Sequence, residues 1–419
     1  MVELGGRGAR VLALGIDRAG EMRITRFLHN ERVSPAEMVA TASARTTGRV
    51  AGRPVLAIQD TTTVRERPGE GRSVVLHPTI AVDAENGALL GLLHAEVLER
   101  GGGARELRKQ RSVEDKQSRR WLSGTEAAAS LLQAQAAQVT VIADREADIY
   151  EEFALRPAGV ELLIRAAQDR ALQGGERLYT CSAALPAAGG MVIDLPAAPG
   201  RPARRAKLLL RWREVVILQP KNRTAAQGLP AQVALNLLEA SEVQAPKDAA
   251  PLHWHLLTTH SIADLSQALR LLDFYRQRWT IEQLFRVLKT KGFDVETSRI
   301  ADGQPFANFI TAALIAAVTV QQLVRDRDGK AARPLHDALD PDDQPALEAI
   351  NATLEGKTLK QKNPHPKGSL AFAAWVFARL GGWSGYYRKP GPVTILNGLL
   401  RFKDIKQGFN LILTLSQDV

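Results

Sequence analysis

The stretch VTVIADREAD (139–148) decides how this chain is read. Val139 to Ala143 form an apolar, β-branched run of strand length, and Asp144 ends it. A second run of the same form lies upstream in VLAIQDTTT (55–63), where Asp60 closes the strand signal and opens a threonine triplet. A third acid, Glu282, falls in YRQRWTIEQLFRVLK (275–289), whose apolar spacing predicts a helix. Acidic residues at the carboxyl ends of hydrophobic strands, with a third on a helix, are how a fold gathers oxygen ligands for hard divalent cations. Their convergence implies metal-dependent cutting and joining of phosphodiesters.

The helix containing Glu282 can be laid out by angle. With Tyr275 at zero and about 100° per residue, Arg278 falls at about −60°, Glu282 at about −20°, Arg286 at about +20° and Lys289 at about −40°. One continuous helix over 262–291 therefore carries these five groups on a single stripe, with Ile281, Leu284 and Leu288 on the core side. By itself such a stripe is a solvated face laced by i,i+4 ion pairs. Asp60 and Asp144 favour the chemical reading: a carboxylate for metal, with Tyr275, Arg278, Arg286 and Lys289 for the phosphates around the reacting bond.

Composition agrees with that chemistry. The 419 residues are 45% hydrophobic and 24% charged, ordinary globular values that exclude wholesale disorder. The formal charge of +10 favours a polyanion, nucleic acid first and an anionic membrane surface second. Basic clusters at Arg105–Arg120, Arg201–Arg213 and around Lys357, Lys360, Lys362 and Lys367 fit a surface that tracks DNA. A lone cysteine, Cys181, excludes a disulfide framework and a cysteine-based zinc site, and suits the cytoplasm. The eight histidines lack HExxH spacing, the glycines at 101–103 lack the P-loop lysine, and no nucleophile elbow occurs. The apolar stretch from Gly303 to Val324 contains Asn308, Gln321 and Gln322, as a buried helix does, so no membrane partner is expected.

Along the chain, Ser34, Pro35 and Glu37 predict a capped helix start. Pro54–Asp60, Val74–Asp83 and Gly87–Glu99 read as three strands, with the turn DAENG joining the last two. A helix over 112–135, a strand at Val139–Asp144, a helix over Glu146–Leu155 and a strand at Val160–Arg165 follow. The fold class is therefore α/β, a mixed sheet with helices on its faces. Residues 166–258 turn β-rich and irregular, and from Ile262 onward the chain is mostly helical.

With these residues in place the chain resembles the DDE transposases of bacterial insertion sequences, specifically the insertion-sequence-four family that includes the Tn-five transposase. The YREK signature of that family is matched by Tyr275, Arg278, Glu282 and Lys289, its DTT by QDTTT at Asp60, and its DREAD by residues 144–148. The similarity continues through HWHLLTT and into NPHPKGSLAFAAWVFARLGGWSGY (363–386). The resemblance implies an RNase H-like core over 51–165 and 259–330, a β-rich insertion over 166–258, and a helical dimerisation region over 331–419. It implies catalytic and metal-binding roles for Asp60, Asp144 and Glu282, two Mg²⁺ ions with Mn²⁺ as substitute, and double-stranded DNA rather than a small molecule as substrate. It further implies hairpin formation, strand transfer and a homodimeric synaptic complex on nucleoid DNA. Trp254 matches the aromatic residue that receives a flipped base, and Arg165 a basic residue that contacts DNA.

Residues 1–50 read as a short N-terminal segment: the family carries a helical DNA-binding domain ahead of a segment matched here by RFLHNERVSPAEM (26–38), and the two dozen or so residues before that match look unlike such a domain. The expectation is an amino-terminally shortened copy with its catalytic residues intact. The alternative function is an inhibitory or non-catalytic DNA-binding partner of a full-length transposase.

Overall fold

A computed structural model describes residues 18–67, 72–100, 118–195, 203–221, 228–246 and 249–417, with side chains to residue 408. The first seventeen residues, the glycines at 101–103, the start of the helix expected from 112, most of the cluster from Arg105 and the first residues of that from Arg201 lie outside the described residues. The chain forms two compact units: Ala51–Asp60 with Gly102–Arg278, and Met1–Val50 with Thr61–Gly101 and Trp279–Val419.

The unit containing Asp144 is built on seven strands in the order β1-β5-β6-β10-β9-β8-β7. Strands β1 (Pro54–Gln59), β5 (Gln138–Ala143) and β6 (Val160–Arg165) are parallel neighbours. Strands β10 (His253–Thr258), β9 (Gln232–Val243), β8 (Arg204–Leu218) and β7 (Gly189–Leu195) add on in antiparallel fashion. The result is the mixed α/β sheet expected from the sequence. Val55 to Gln59 and Val139 to Ala143 are wholly buried runs, as strands covered on both faces require. Helix α3 (Arg119–Gln133) packs on β1, β5 and β6.

The other unit opens with α1 (Arg18–Leu28), where the sequence shows no sustained period, and α2 (Pro35–Thr47). The Ser34 side chain caps α2 by accepting from the Glu37 amide, with Pro35 in the first turn, as expected. An antiparallel meander follows, β2 (Thr62–Arg67), β3 (Arg72–Asp83) and β4 (Leu89–Arg100). The β3–β4 turn is fixed by Asp83, which accepts from the Glu85 amide and the Asn86 side chain, and by Gly87 at φ 72°.

Helix α7 (Trp279–Leu288) and the long α8 (Gln304–Asp326) belong to this second unit. Among the described residues α8 is the one helix long and apolar enough to cross a membrane, yet most of its apolar stretch is buried inside the protein. It packs on α2, β4 and α7, as the core helix that Asn308, Gln321 and Gln322 suggest. Helices α9 (Gln344–Leu354), α10 (Leu370–Leu380) and α11 (Pro392–Gln417) complete the unit.

Two expectations are corrected. The helix expected over Glu146–Leu155 is a 3₁₀ turn, Arg145–Ala147, and a separate short helix, Tyr150–Ala154, with extended backbone at Ile149 between them. The helix expected over 262–291 is two helices: α6 (Leu265–Arg276) in one unit and α7 in the other. At the break the Arg278 amide donates to the Tyr275 carbonyl, three residues back, so the chain tightens into a 3₁₀-like turn. The angular layout of Tyr275 through Lys289 rests on one continuous helix, which this turn interrupts. The apolar side of α7 is as expected, since Ile281, Leu284 and Leu288 are fully buried.

Helices α10 and α11 cross at Gly398, where an added Cβ would sit 1.7 Å from the Phe377 carbonyl oxygen. Backbone cannot yield as a side-chain tip can, so Gly398→Ala should cost about 1–3 kcal/mol. Gly408 lies in the same helix with nothing within 4 Å of such a Cβ, and Gly408→Ala should be neutral or stabilise by about 0.5–1 kcal/mol. Denaturant melts of the two variants check the contrast; equal effects would contradict it.

Candidate functional site

The candidate site of the seven-stranded unit follows from strand register. Ile58 pairs with Ile142 and Ala143 with Ile164 across the parallel strands β1, β5 and β6. Two residues past Ile58 and Ile142 stand Asp60 and Asp144, and one residue past Ile164 stands Arg165. Three adjacent parallel strands therefore present Asp, Asp and Arg at the same level of their carboxyl ends. Strands pair about 4.8 Å apart, which brings the two aspartates within reach of a common partner. Carboxyl ends of parallel strands are where open α/β sheets place ligand sites.

That common partner is Arg278. Its Nη1 donates to Asp60 Oδ2 at 3.0 Å, and its Nη2 stands 3.7 Å from Asp144 Oδ2. Arg278 is only 7% exposed, while Asp60 and Asp144 are half-buried. Asp144 Oδ1 also accepts from the Arg145 amide at 2.8 Å, which caps the 3₁₀ turn Arg145–Ala147, and Arg165 Nη1 lies 3.7 Å away. Two like charges at adjacent strand ends repel, and these donors offset that cost.

Tyr275, the last aromatic residue of α6, donates its hydroxyl to Asp144 Oδ1 at 3.3 Å. Burial first, and the Asp144 charge second, push the phenol well above its ordinary pKa, so it remains a neutral donor. Trp254 on β10 meets the Tyr275 ring edge-to-face at 5.4 Å and is itself buried. Strand, helix end and turn thus bring Asp60, Asp144, Arg165, Trp254, Tyr275 and Arg278 together in one unit. Glu282, Arg286 and Lys289 lie on and just after α7, in the other unit. There Glu282 is half-buried, Arg286 is exposed, and Lys289 pairs with Glu296 at 2.8 Å.

Sequence reasoning missed a buried polar network directly behind Asp60. Gln59 is fully buried and donates to Thr125 Oγ1 at 3.2 Å, and Thr125 donates in turn to Glu152 Oε1. Glu152 belongs to the short helix α4 (Tyr150–Ala154), is 0% exposed, and leaves Oε2 without a hydrogen-bond partner. Burial pushes its carboxyl up to about 7, against the opposing bonds from Thr125 and Gln59. The signal was a pair of acids, Glu151 and Glu152, between Tyr150 and Phe153 in an otherwise apolar short helix. A cavity of about 690 Å³ in the other unit, among Arg45, Arg49, Gln322 and Asp337, is lined by none of the candidate catalytic or DNA-binding residues.

Residues 123–319 match the family model described as the transposase DDE domain, a little under half of the chain. The matched stretch contains Asp144, Arg165, Trp254, Tyr275, Arg278, Glu282, Arg286 and Lys289, and Asp60 precedes it. The match supports a DDE transposase, a class whose domains use divalent metals and whose substrate is DNA.

Glu152 makes stability depend on pH in a defined direction. Its carboxyl holds a proton to about 7 in the folded state against an ordinary 4.5, so the folded state binds more protons between those values. Stability therefore falls as pH rises through that window. Glu152→Gln should match wild type at pH 4 and exceed it at pH 8 by about 1–3 kcal/mol. Thermal melts at both pH values check this; equal behaviour of the two proteins at pH 8 would contradict it.

Proposed function

We propose that this chain is a cut-and-paste DNA transposase of the insertion-sequence-four type, in which Asp60, Asp144 and Glu282 hold divalent cations. The observation that carries the reading is the register of β1 and β5, which sets Asp60 and Asp144 side by side against one guanidinium. A cation already stands between the two carboxylates, so their position suits positive charge. Their oxygens are the hard donors that Mg²⁺ takes, with Mn²⁺ as a substitute. When bound, such cations activate the attacking oxygen and offset charge on the leaving one in an in-line displacement.

The remaining roles belong to the chain's own side chains. Arg165, Arg278, Arg286 and Lys289 bind the phosphates that flank the scissile bond and fix its approach. Tyr275, kept neutral by burial, donates a hydrogen bond where an ionised phenolate would repel a phosphate. Trp254 stacks a base extruded during hairpin formation, which requires it to swing from its packing on Tyr275. In this reading residues 51–165 and 259–330 form the catalytic core, 166–258 its insertion, and 331–419 a dimerisation region for the synaptic complex.

The test is Mg²⁺-dependent nicking of a pre-cut transposon end, followed by a gel assay for hairpin and joined products. Wild type should nick and join, and Glu282→Gln should lose at least about 10³-fold in rate with DNA binding retained. Undiminished cleavage by Glu282→Gln would overturn the role of Glu282, and free ends without hairpins would point to a simple nuclease.

Phosphate contacts carry a separate signature. Arg165→Ala or Lys289→Ala should weaken binding to all duplex sequences alike and reduce the slope of log K against log salt by about 1. An unchanged slope in fluorescence-anisotropy titrations would remove that residue from the DNA interface.

A further inference from the structure

Strand β10 has two faces, and only one of them meets Tyr275. His253 and His255 flank Trp254 at i and i+2, so both imidazoles leave the strand on the face opposite the indole. Their ring centroids lie 4.3 Å apart. Glu239 of β9 pairs directly with His255 across the ladder, which adds a carboxylate to the same face. One donor atom from each of these three residues lies within 4.8 Å of the other two, the one such group among the described residues.

We propose that Glu239, His253 and His255 form a binding site for one divalent transition-metal ion of the zinc class, separate from the strand-end aspartates.

Three features beyond proximity carry this. Glu239 is 4% exposed, and its Oε2 is fixed by Ser182 Oγ at 2.7 Å and Arg211 Nη1 at 3.5 Å. That leaves Oε1 turned to the histidines, in the way outer partners orient a metal-binding carboxylate. His253 Nε2 and Glu239 Oε1 are already 2.8 Å apart. Neighbouring donors around a tetrahedral zinc ion stand about 3.3 Å apart, so a small opening of this pair admits the ion. The ring nitrogens of His255 make no hydrogen bond among the described residues, although the ring is held at 4.7 Å against Tyr179. Imidazole nitrogens without a competing partner, beside a carboxylate, are a donor set for zinc and its neighbours rather than for Mg²⁺.

The group opens into a cavity of about 460 Å³ that Arg145, Arg165 and Tyr179 also line. Three protein ligands with an open fourth position is the pattern of a zinc ion that keeps an exchangeable water or anion. The two arginines favour an anion in that position. The bound ion would tie β9 to β10 and stiffen the strand segment that holds Trp254 against Tyr275.

The experiment uses the full chain without a polyhistidine tag, stripped with a chelator and carrying Asp60→Asn and Asp144→Asn so that the strand-end acids take no zinc. Calorimetric titration with Zn²⁺ should give one site with Kd of about 1 µM or tighter and no heat with Mg²⁺. His255→Gln and Glu239→Gln should each weaken that site at least about tenfold. Co²⁺ in place of Zn²⁺ should show visible absorption that the same variants lose. In the chain with all three ligands intact, Zn²⁺ should protect His253 from diethylpyrocarbonate, read by peptide mass spectrometry, a result that does not depend on how the variants fold. No zinc site, a site indifferent to these substitutions, or unprotected His253 would each overturn the proposal.

Discussion

The proposed function depends on one pairing, the parallel alignment of β1 with β5. Residues 58 and 142 are far apart in the chain, yet their register sets Asp60 and Asp144 at one level on neighbouring strands. Two carboxylates so placed repel unless positive charge answers them. The chain answers with Arg278, with Arg165 on the next strand and with the amide of Arg145. Positive charge gathered around two acids suits the divalent cation and the anionic DNA of the function proposed above. The overall charge of +10 acts in the same direction at longer range.

Rigidity behind the acids has the same origin. The strands that lead into Asp60 and Asp144 are buried from their second residue on, and Gln59 anchors the last position of β1 to Thr125 and Glu152. A fully buried glutamate beside that strand end is expensive when ionised, and its raised pKa is the form that cost takes. The fold accepts it because the network fixes Gln59 without another charge near Asp60.

Some of this was legible in the sequence, for identifiable reasons. Apolar runs closed by Asp60 and Asp144 have a period and an end, so strands and acids were both visible. The cap at Ser34, the turn at Asp83 and the buried side of α7 follow local rules and formed as read. The break at Gln277–Arg278 was invisible because the apolar spacing runs through it, and only tertiary packing decides that Arg278 turns to the aspartates. Strand β2 was missed because its one fully buried side chain is Val64, amid threonines, arginines and a glutamate. Strand β8 was hidden within the irregular stretch 166–258 because charged residues such as Arg211 and Arg213 break its apolar pattern, although Arg211 is satisfied laterally by the Leu185 carbonyl and the Ser241 hydroxyl. The acids of one strand end could be found by pattern; their register with another strand could not.

The most direct test of the central claim replaces Mg²⁺ with Fe²⁺ and ascorbate, so that a bound ion cuts the nearby backbone. If Asp60 and Asp144 share a divalent cation, scission should concentrate around residues 60 and 144, fade with excess Mg²⁺ and vanish in Asp144→Asn. Scission absent from both segments, or present there but indifferent to Mg²⁺ and to the substitution, would contradict the account.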